Sequence, residues 1–160
     1  MRFFTVVLTF CALLASAAAP ALAGPTLVFD ARTGRVLHAE DATAPWFPAS
    51  LTKLMTAYVT FRAIAAGRLS LDSRIVNSER ARSQPPSKIG LPLGATIRVD
   101  KALQVLIVKS ANDVAVMLAE AVSGSVENFV AEMNAVAAEL GMSGSSFVNP
   151  HGLPDLGQVT

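Results

Sequence analysis

A chain of 160 residues, 52% hydrophobic and 16% charged, has the balance of one globular domain, which argues against a disordered or fibrous protein. Its 13 basic and 12 acidic side chains leave a basic excess of only one, too little to neutralise a run of phosphates, which argues against nucleic acid or another polyanion as a partner. The two histidines, His38 and His151, stand far apart and in no ligand-spaced cluster, so no metal site is expected.

Residues 1–23 read as an export signal. Arg2 supplies the positive start, Phe3 to Leu14 runs without charge, and Ala21-Leu22-Ala23 is a small-x-small cleavage site, so the mature chain is expected to begin at Gly24. A spanning helix is the competing reading of Phe3 to Ala19, but Pro20 and the cleavage site favour removal. The single cysteine, Cys11, lies inside this segment after Phe10, which is too bulky to precede a lipidation cysteine. The exported part is therefore expected to lack cysteine and cysteine catalysis.

Beyond it, Thr26 to Ala31 and Arg35 to Glu40 have strand composition around Arg32-Thr33-Gly34, which predicts a hairpin with Gly34 free to take a positive φ and His38 half-buried in a strand. Pro45-Trp46-Phe47-Pro48 is a stiff approach to a helix opened by Ser50. Leu51, Leu54, Met55, Tyr58, Val59 and Ile64 repeat there at helical spacing until Gly67, and Trp46 is expected to pack against that helix. Prolines and glycines between residues 68 and 98 predict loop with short extended pieces. Asp100 is the expected N-cap of a helix through Val108, and a second helix runs from Asn112 to Val122 before Gly124. A third, from Val126 to Leu140, places Phe129, Met133, Val136 and Leu140 on one stripe, read as core, with Glu127, Glu132 and Glu139 elsewhere. The tail from Met142 to Thr160 is rich in glycine and proline.

Chemistry enters at Ser50-Leu51-Thr52-Lys53, where a three-residue spacing puts a hydroxyl and an amine on one helical face. Serine is a poor nucleophile at neutral pH, and a lysine activates it only as a free amine. Lowering a lysine from about 10.4 to about 7 takes roughly 4 to 5 kcal/mol of differential interaction, so Lys53 must be largely buried if it acts as the base. The first turn of the helix also turns the Ser50 N–H outward, where it can help hold a tetrahedral oxyanion. A second element, Lys109-Ser110-Ala111-Asn112, sits between two expected helices, where Ser110 can relay a proton and Asn112 can orient a substrate amide. Either pattern alone is common as helix capping; the pair is the informative observation.

Taken together, Pro48-Ala-Ser-Leu-Thr-Lys-Leu-Met-Thr56, Lys109-Ser-Ala-Asn-Asp113 and Phe147-Val-Asn-Pro-His-Gly-Leu153 resemble the serine D-alanyl-D-alanine carboxypeptidases, the low-molecular-mass penicillin-binding proteins, in order and spacing. The resemblance covers nearly the whole chain after residue 23. It implies an α+β, β-lactamase/transpeptidase-like fold, of which this sequence supplies the first β-hairpin and most of the helical lobe. It also implies Ser50 as acyl-enzyme nucleophile, Lys53 as general base, Ser110 as proton relay and Asn112 as a substrate contact. The substrate would be the peptidoglycan stem peptide, β-lactams would be covalent inhibitors, and no cofactor would be needed. A D,D-endopeptidase of the same family and a non-catalytic wall-binding remnant are the alternatives. No Lys-Thr-Gly triplet occurs among the 160 residues, so residues 24–160 are expected to be the N-terminal part of a longer exported enzyme, poorly stable and largely inactive alone.

Overall fold

The computed structural model describes residues 24–160, and the expected export segment lies outside them. The described residues divide into two compact units, 24–44 and 45–160. In the first, β1 (Thr26–Phe29) pairs antiparallel with β2 (Val36–Glu40), Thr26 opposite Glu40 and Val28 opposite His38. The hairpin is held at its tip by Asp30, whose Oδ1 accepts from the Thr33 N–H at 2.7 Å, the Thr33 hydroxyl at 2.8 Å and the Arg32 N–H at 3.0 Å. Gly34 takes φ +72°, as the turn requires. Both strands are shorter than expected, ending at Phe29 and starting at Val36, with the residues between them in the turn. His38 is exposed rather than half-buried, like the rest of β2.

The second unit opens with a 3-10 turn, Ala49–Leu51, which passes into α1 (Thr52–Ala65), so the α-helix begins two residues after Ser50 instead of at it. Its buried face differs from the expected stripe. Met55, Val59 and Ala63 are inside, but so are Thr52, Lys53, Thr56 and Thr60, while Leu51, Leu54 and Tyr58 lie outside at 67%, 57% and 44% exposure. The buried hydroxyls are each spent on a hydrogen bond, which makes their burial affordable: Thr60 Oγ1 donates to the Thr56 carbonyl at 2.7 Å, and Thr52 and Thr56 bond to the C-terminal loops.

Residues 68–98 are more ordered than the expected loop. β3 (Arg74–Val76) and β4 (Thr96–Arg98) form a second antiparallel hairpin with Ile75 opposite Ile97. Between them lies a one-turn helix, α2 (Glu79–Arg82), capped by Ser78 Oγ accepting from the Ala81 N–H at 3.0 Å. Four residues give no readable periodicity, which is why the sequence hides α2. The next helix, α3 (Val99–Val108), starts one residue before Asp100, with Arg98 as N-cap; Asp100 instead pairs with the Arg98 guanidinium at 3.1 Å.

Buried on almost every side, α4 (Asn112–Ser123) is the centre of this unit, with every residue from Asn112 to Ala119 inside. It ends at Gly124, φ +78°. The last helix, α5 (Val126–Glu139), is capped by Ser125 accepting from the Asn128 N–H. Phe129, Met133 and Val136 enter the core as expected, whereas Leu140 follows the helix and is 51% exposed. Fully burying Leu106, Met117, Leu118, Phe129 and Met133 contributes roughly 1.5–3 kcal/mol apiece. On its outer face, Glu127, Glu132 and Glu139 pair with Arg80, Arg68 and Arg62. The tail folds back: Ser146 bridges Val159, and Trp46 and Thr160 exchange two backbone hydrogen bonds of 3.0 Å. Trp46 is half exposed and lines a shallow cavity with Pro45, Phe47 and Val159.

Candidate active site

Ser50 projects from a turn that the chain reaches by an unusual step. Ala49 adopts φ +46°, left-handed backbone that costs a non-glycine residue about 1–3 kcal/mol and persists only where the surroundings enforce it. Ser110, between α3 and α4, does the same at φ +57°. These two strained positions bring the expected hydroxyls together, the Ser110 hydroxyl donating to Ser50 Oγ at 2.8 Å. Lys53, one turn along from Ser50, places Nζ 3.4 Å from the same Oγ. Ser50 thus stands between an amine and a second hydroxyl.

Lys53 is only 3% exposed. Burial pulls its amine down from 10.5 to about 8, which satisfies the condition set by the sequence and leaves a fraction of free base at neutral pH. Its second partner is a backbone atom: Nζ donates to the His151 carbonyl at 2.7 Å. A neutral amine that donates there keeps its lone pair for the Ser50 proton.

That carbonyl is aimed by a densely bonded loop. Asn149 Oδ1 accepts from the Gly152 N–H at 2.7 Å and the His151 N–H at 3.3 Å, and its Nδ2 donates to the Leu153 carbonyl at 3.0 Å. Thr56 Oγ1 donates to the Pro150 carbonyl at 2.6 Å. Gln158, 1% exposed, donates through Nε2 to Thr52 Oγ1 at 2.8 Å and accepts through Oε1 from the Val148 and Asn149 N–H groups at 2.8 and 3.2 Å. Gly152 takes φ +85° so close to the nucleophile turn that a Cβ there would lie 1.7 Å from the Ala49 carbonyl oxygen. The His151 ring accepts the Leu153 N–H on Nδ1 at 3.2 Å, and burial, reinforced by Lys53, pulls it down to about 4, so it is neutral at physiological pH. The histidine reaches the lysine through its main chain. Thr52, Thr56, Gln158 and Gly152 were not singled out by the sequence, since their roles depend on contacts about a hundred positions away; only the glycine in Asn149-Pro-His-Gly-Leu153 carried a signal.

Asn112 lies at the start of α4, 3% exposed. Its Nδ2 donates to the Pro85 and Pro86 carbonyls at 3.0 and 3.2 Å, and its N–H donates to the Ser87 carbonyl at 2.7 Å. Among the described residues its hydrogen bonds therefore run to this neighbouring loop and not to Ser50, Lys53 or Ser110. Asp113, beside it, is 1% exposed. An acid in the first turn of a helix reads as a complement to the helix dipole, and nothing in the sequence marked this one as buried. A cavity of about 370 Å³, lined by Pro48, Leu51, Leu54, Met55, Tyr58 and Phe147 among others, opens beside the nucleophile turn. Among the described residues no three His, Cys, Asp or Glu side chains are grouped to hold a metal ion. The arrangement suits acyl transfer to a serine with a lysine base.

Residues 14–160 match the family described as D-alanyl-D-alanine carboxypeptidase. The carboxypeptidase DacF of Bacillus subtilis (strain 168) is 36% identical over 134 residues, covering 84% of this chain and 34% of that protein. The crystal structure of the carboxypeptidase DacD from Francisella tularensis superposes with a TM-score of 0.82 at 37% identity, over 90% of this chain and 35% of that one. Penicillin-binding protein D2 from Listeria monocytogenes, solved in a cefotaxime-bound form, superposes with a TM-score of 0.73 at 31% identity, over 89% of this chain and 59% of that one. The chain spans about a third of the length of the curated carboxypeptidases it matches.

Proposed function

Because the chain belongs to the D-alanyl-D-alanine carboxypeptidase family, we propose that the protein carrying it removes the terminal D-alanine from peptidoglycan stem peptides through an acyl-enzyme on Ser50. The observation that carries this reading is Ser50 Oγ held between Lys53 Nζ at 3.4 Å and the Ser110 hydroxyl at 2.8 Å.

Lys53, as free amine, takes the Ser50 proton while Oγ attacks the carbonyl carbon of the D-Ala-D-Ala bond. The Ser50 N–H, in the opening turn where backbone donors have no helical partner, faces the developing oxyanion. As the tetrahedral adduct collapses, the C–N bond breaks and the proton passes by way of Ser110 to the leaving amine, releasing D-alanine. Water then attacks the ester, Lys53 takes its proton, and the shortened stem peptide leaves as Ser50 regains its hydrogen. Asn112, oriented by the Pro85 and Pro86 carbonyls, is the substrate contact. A β-lactam acylates the same Oγ and forms a more slowly hydrolysed ester; the cefotaxime-bound relative supports this part of the reading. The composition of residues 1–23 supports export, and with it a reaction in the periplasm or cell envelope.

Fluorescent penicillin tests the reading on the longest natural polypeptide that carries these residues. Covalent label is expected on the parent and none on Ser50→Ala. A parent that never labels, or a Ser50→Ala variant that still does, overturns it.

A further inference from the structure

Asp113 is a buried carboxylate that the chemistry above leaves unused. Its side chain has no basic partner in hydrogen-bond range among the described residues; it is satisfied by backbone alone. Oδ2 accepts from the Ile89 and Gly90 N–H groups at 3.0 and 2.9 Å, and Oδ1 accepts from the Val114 N–H at 2.9 Å. Charged acceptors make short, strong bonds to N–H groups, and losing one partner of a buried charge is costly.

The loop that donates these bonds is the one that orients Asn112. Residues 85–90 meet the Lys109–Asp113 segment at four further points: Pro85 and Pro86 accept from Asn112 Nδ2, the Ser87 carbonyl accepts from the Asn112 N–H, and Ser87 Oγ donates to the Lys109 carbonyl at 3.0 Å. Lys109 and Asn112 flank Ser110, whose left-handed backbone must be enforced by its surroundings. Those four bonds use backbone groups and neutral side chains; Asp113 supplies the one charged side chain that bonds across the seam, through the Ile89 and Gly90 N–H groups.

We propose that Asp113 is a positioning residue: its carboxylate clamps the 85–90 loop against the Ser110-Ala-Asn112 segment and so fixes the Ser110 hydroxyl and the Asn112 amide relative to Ser50. The inference deepens the carboxypeptidase reading and rests on it for the catalytic consequence, while the clamp itself is a statement about structure. A misplacement of about 1 Å in such a constellation costs on the order of a hundredfold in rate.

The test compares the parent with Asp113→Asn, which keeps the shape and removes the charge, and with Ser87→Ala, an exposed tie on the loop side. Amide hydrogen exchange reads the clamp without any activity. Asn112 N–H, bonded to Ser87 and not to Asp113, is expected to exchange at least tenfold faster in Asp113→Asn, with core amides of α5 unchanged. Penicillin acylation of Ser50 is expected to slow by ten- to a hundredfold in Asp113→Asn and a few-fold in Ser87→Ala, through the maximal rate more than through half-saturation. Unchanged Asn112 exchange overturns the clamp; faster exchange with acylation within twofold of the parent overturns its catalytic consequence. If Asp113→Asn does not fold, Ser87→Ala decides by the same two readings. Absence of label on the parent counts against the carboxypeptidase reading and leaves the exchange experiment to judge the clamp.

Discussion

Lys53 joins the chemistry of the site to its stability. Its folded value of about 8 lies below its ordinary 10.5, so between those limits the unfolded chain binds more protons than the folded one. Stability from this group therefore rises as pH climbs from about 8 towards 10.5, and below pH 8 the buried ammonium carries its full cost, on the order of 3 kcal/mol. Reactivity follows the same ionisation. The rate of Ser50 acylation by a penicillin is expected to rise about tenfold per pH unit below 8 and to level off above it. A flat profile from pH 6 to 9 would show that Lys53 is not the titrating base. At this scale the sequence was informative about the candidate groups: Ser50 and Lys53 lie together as their three-residue spacing suggested, Ser110 joins them as the resemblance implied, and the lysine is buried as a role as base would require. It was silent about Asp113 and Gln158, because burial of a polar side chain depends on partners that no local pattern reveals.

Among the elements, α1 shows most clearly what periodicity misses. Its apolar repeat predicted the helix and part of its buried face, Met55 and Val59, but not the rest, since Thr52, Thr56 and Thr60 have a helical spacing of their own and hydrogen bonds waiting for them while Leu51, Leu54 and Tyr58 stay outside. The expected hairpin is present, whereas the hairpin and helical turn within residues 68–98 were concealed by their brevity and by the prolines around them. The Asn149–Leu153 loop behaves as an element too, because it is bound to α1 at several points. Gly152→Ala is expected to be among the most harmful single changes to the second unit. With a Cβ 1.7 Å from the Ala49 oxygen, the loop or the nucleophile turn must shift, lowering stability by about 2–4 kcal/mol and displacing the His151 carbonyl from Lys53. Thermal melting beside penicillin labelling checks this. A variant that melts and labels like the parent would show that the close approach is easily relieved.

For the molecule as a whole, the α+β fold class was readable, and so was the division into a strand-rich beginning and a helical remainder. What the sequence did not show was how much apolar surface would remain outside. Leu51, Leu54, Tyr58, Phe61 and Val108 are 44–88% exposed in the second unit, and Leu27, Phe29, Val36 and Leu37 about half exposed in the first. Surface of this kind in a soluble chain marks a place that something else covers, or one that associates. The isolated 160-residue chain is expected to bind an apolar dye such as anilinonaphthalene sulfonate and to self-associate at micromolar concentration. A monomer that leaves the dye dark would contradict that expectation. The His151 carbonyl contact has a different consequence, for inheritance. Because Lys53 is met by main chain, no codon at position 151 encodes its partner, and substitutions there can remove the imidazole while sparing that oxygen. Natural variation is thus expected to be freer at the histidine ring than at Gly152 or Asn149, which determine where the backbone runs.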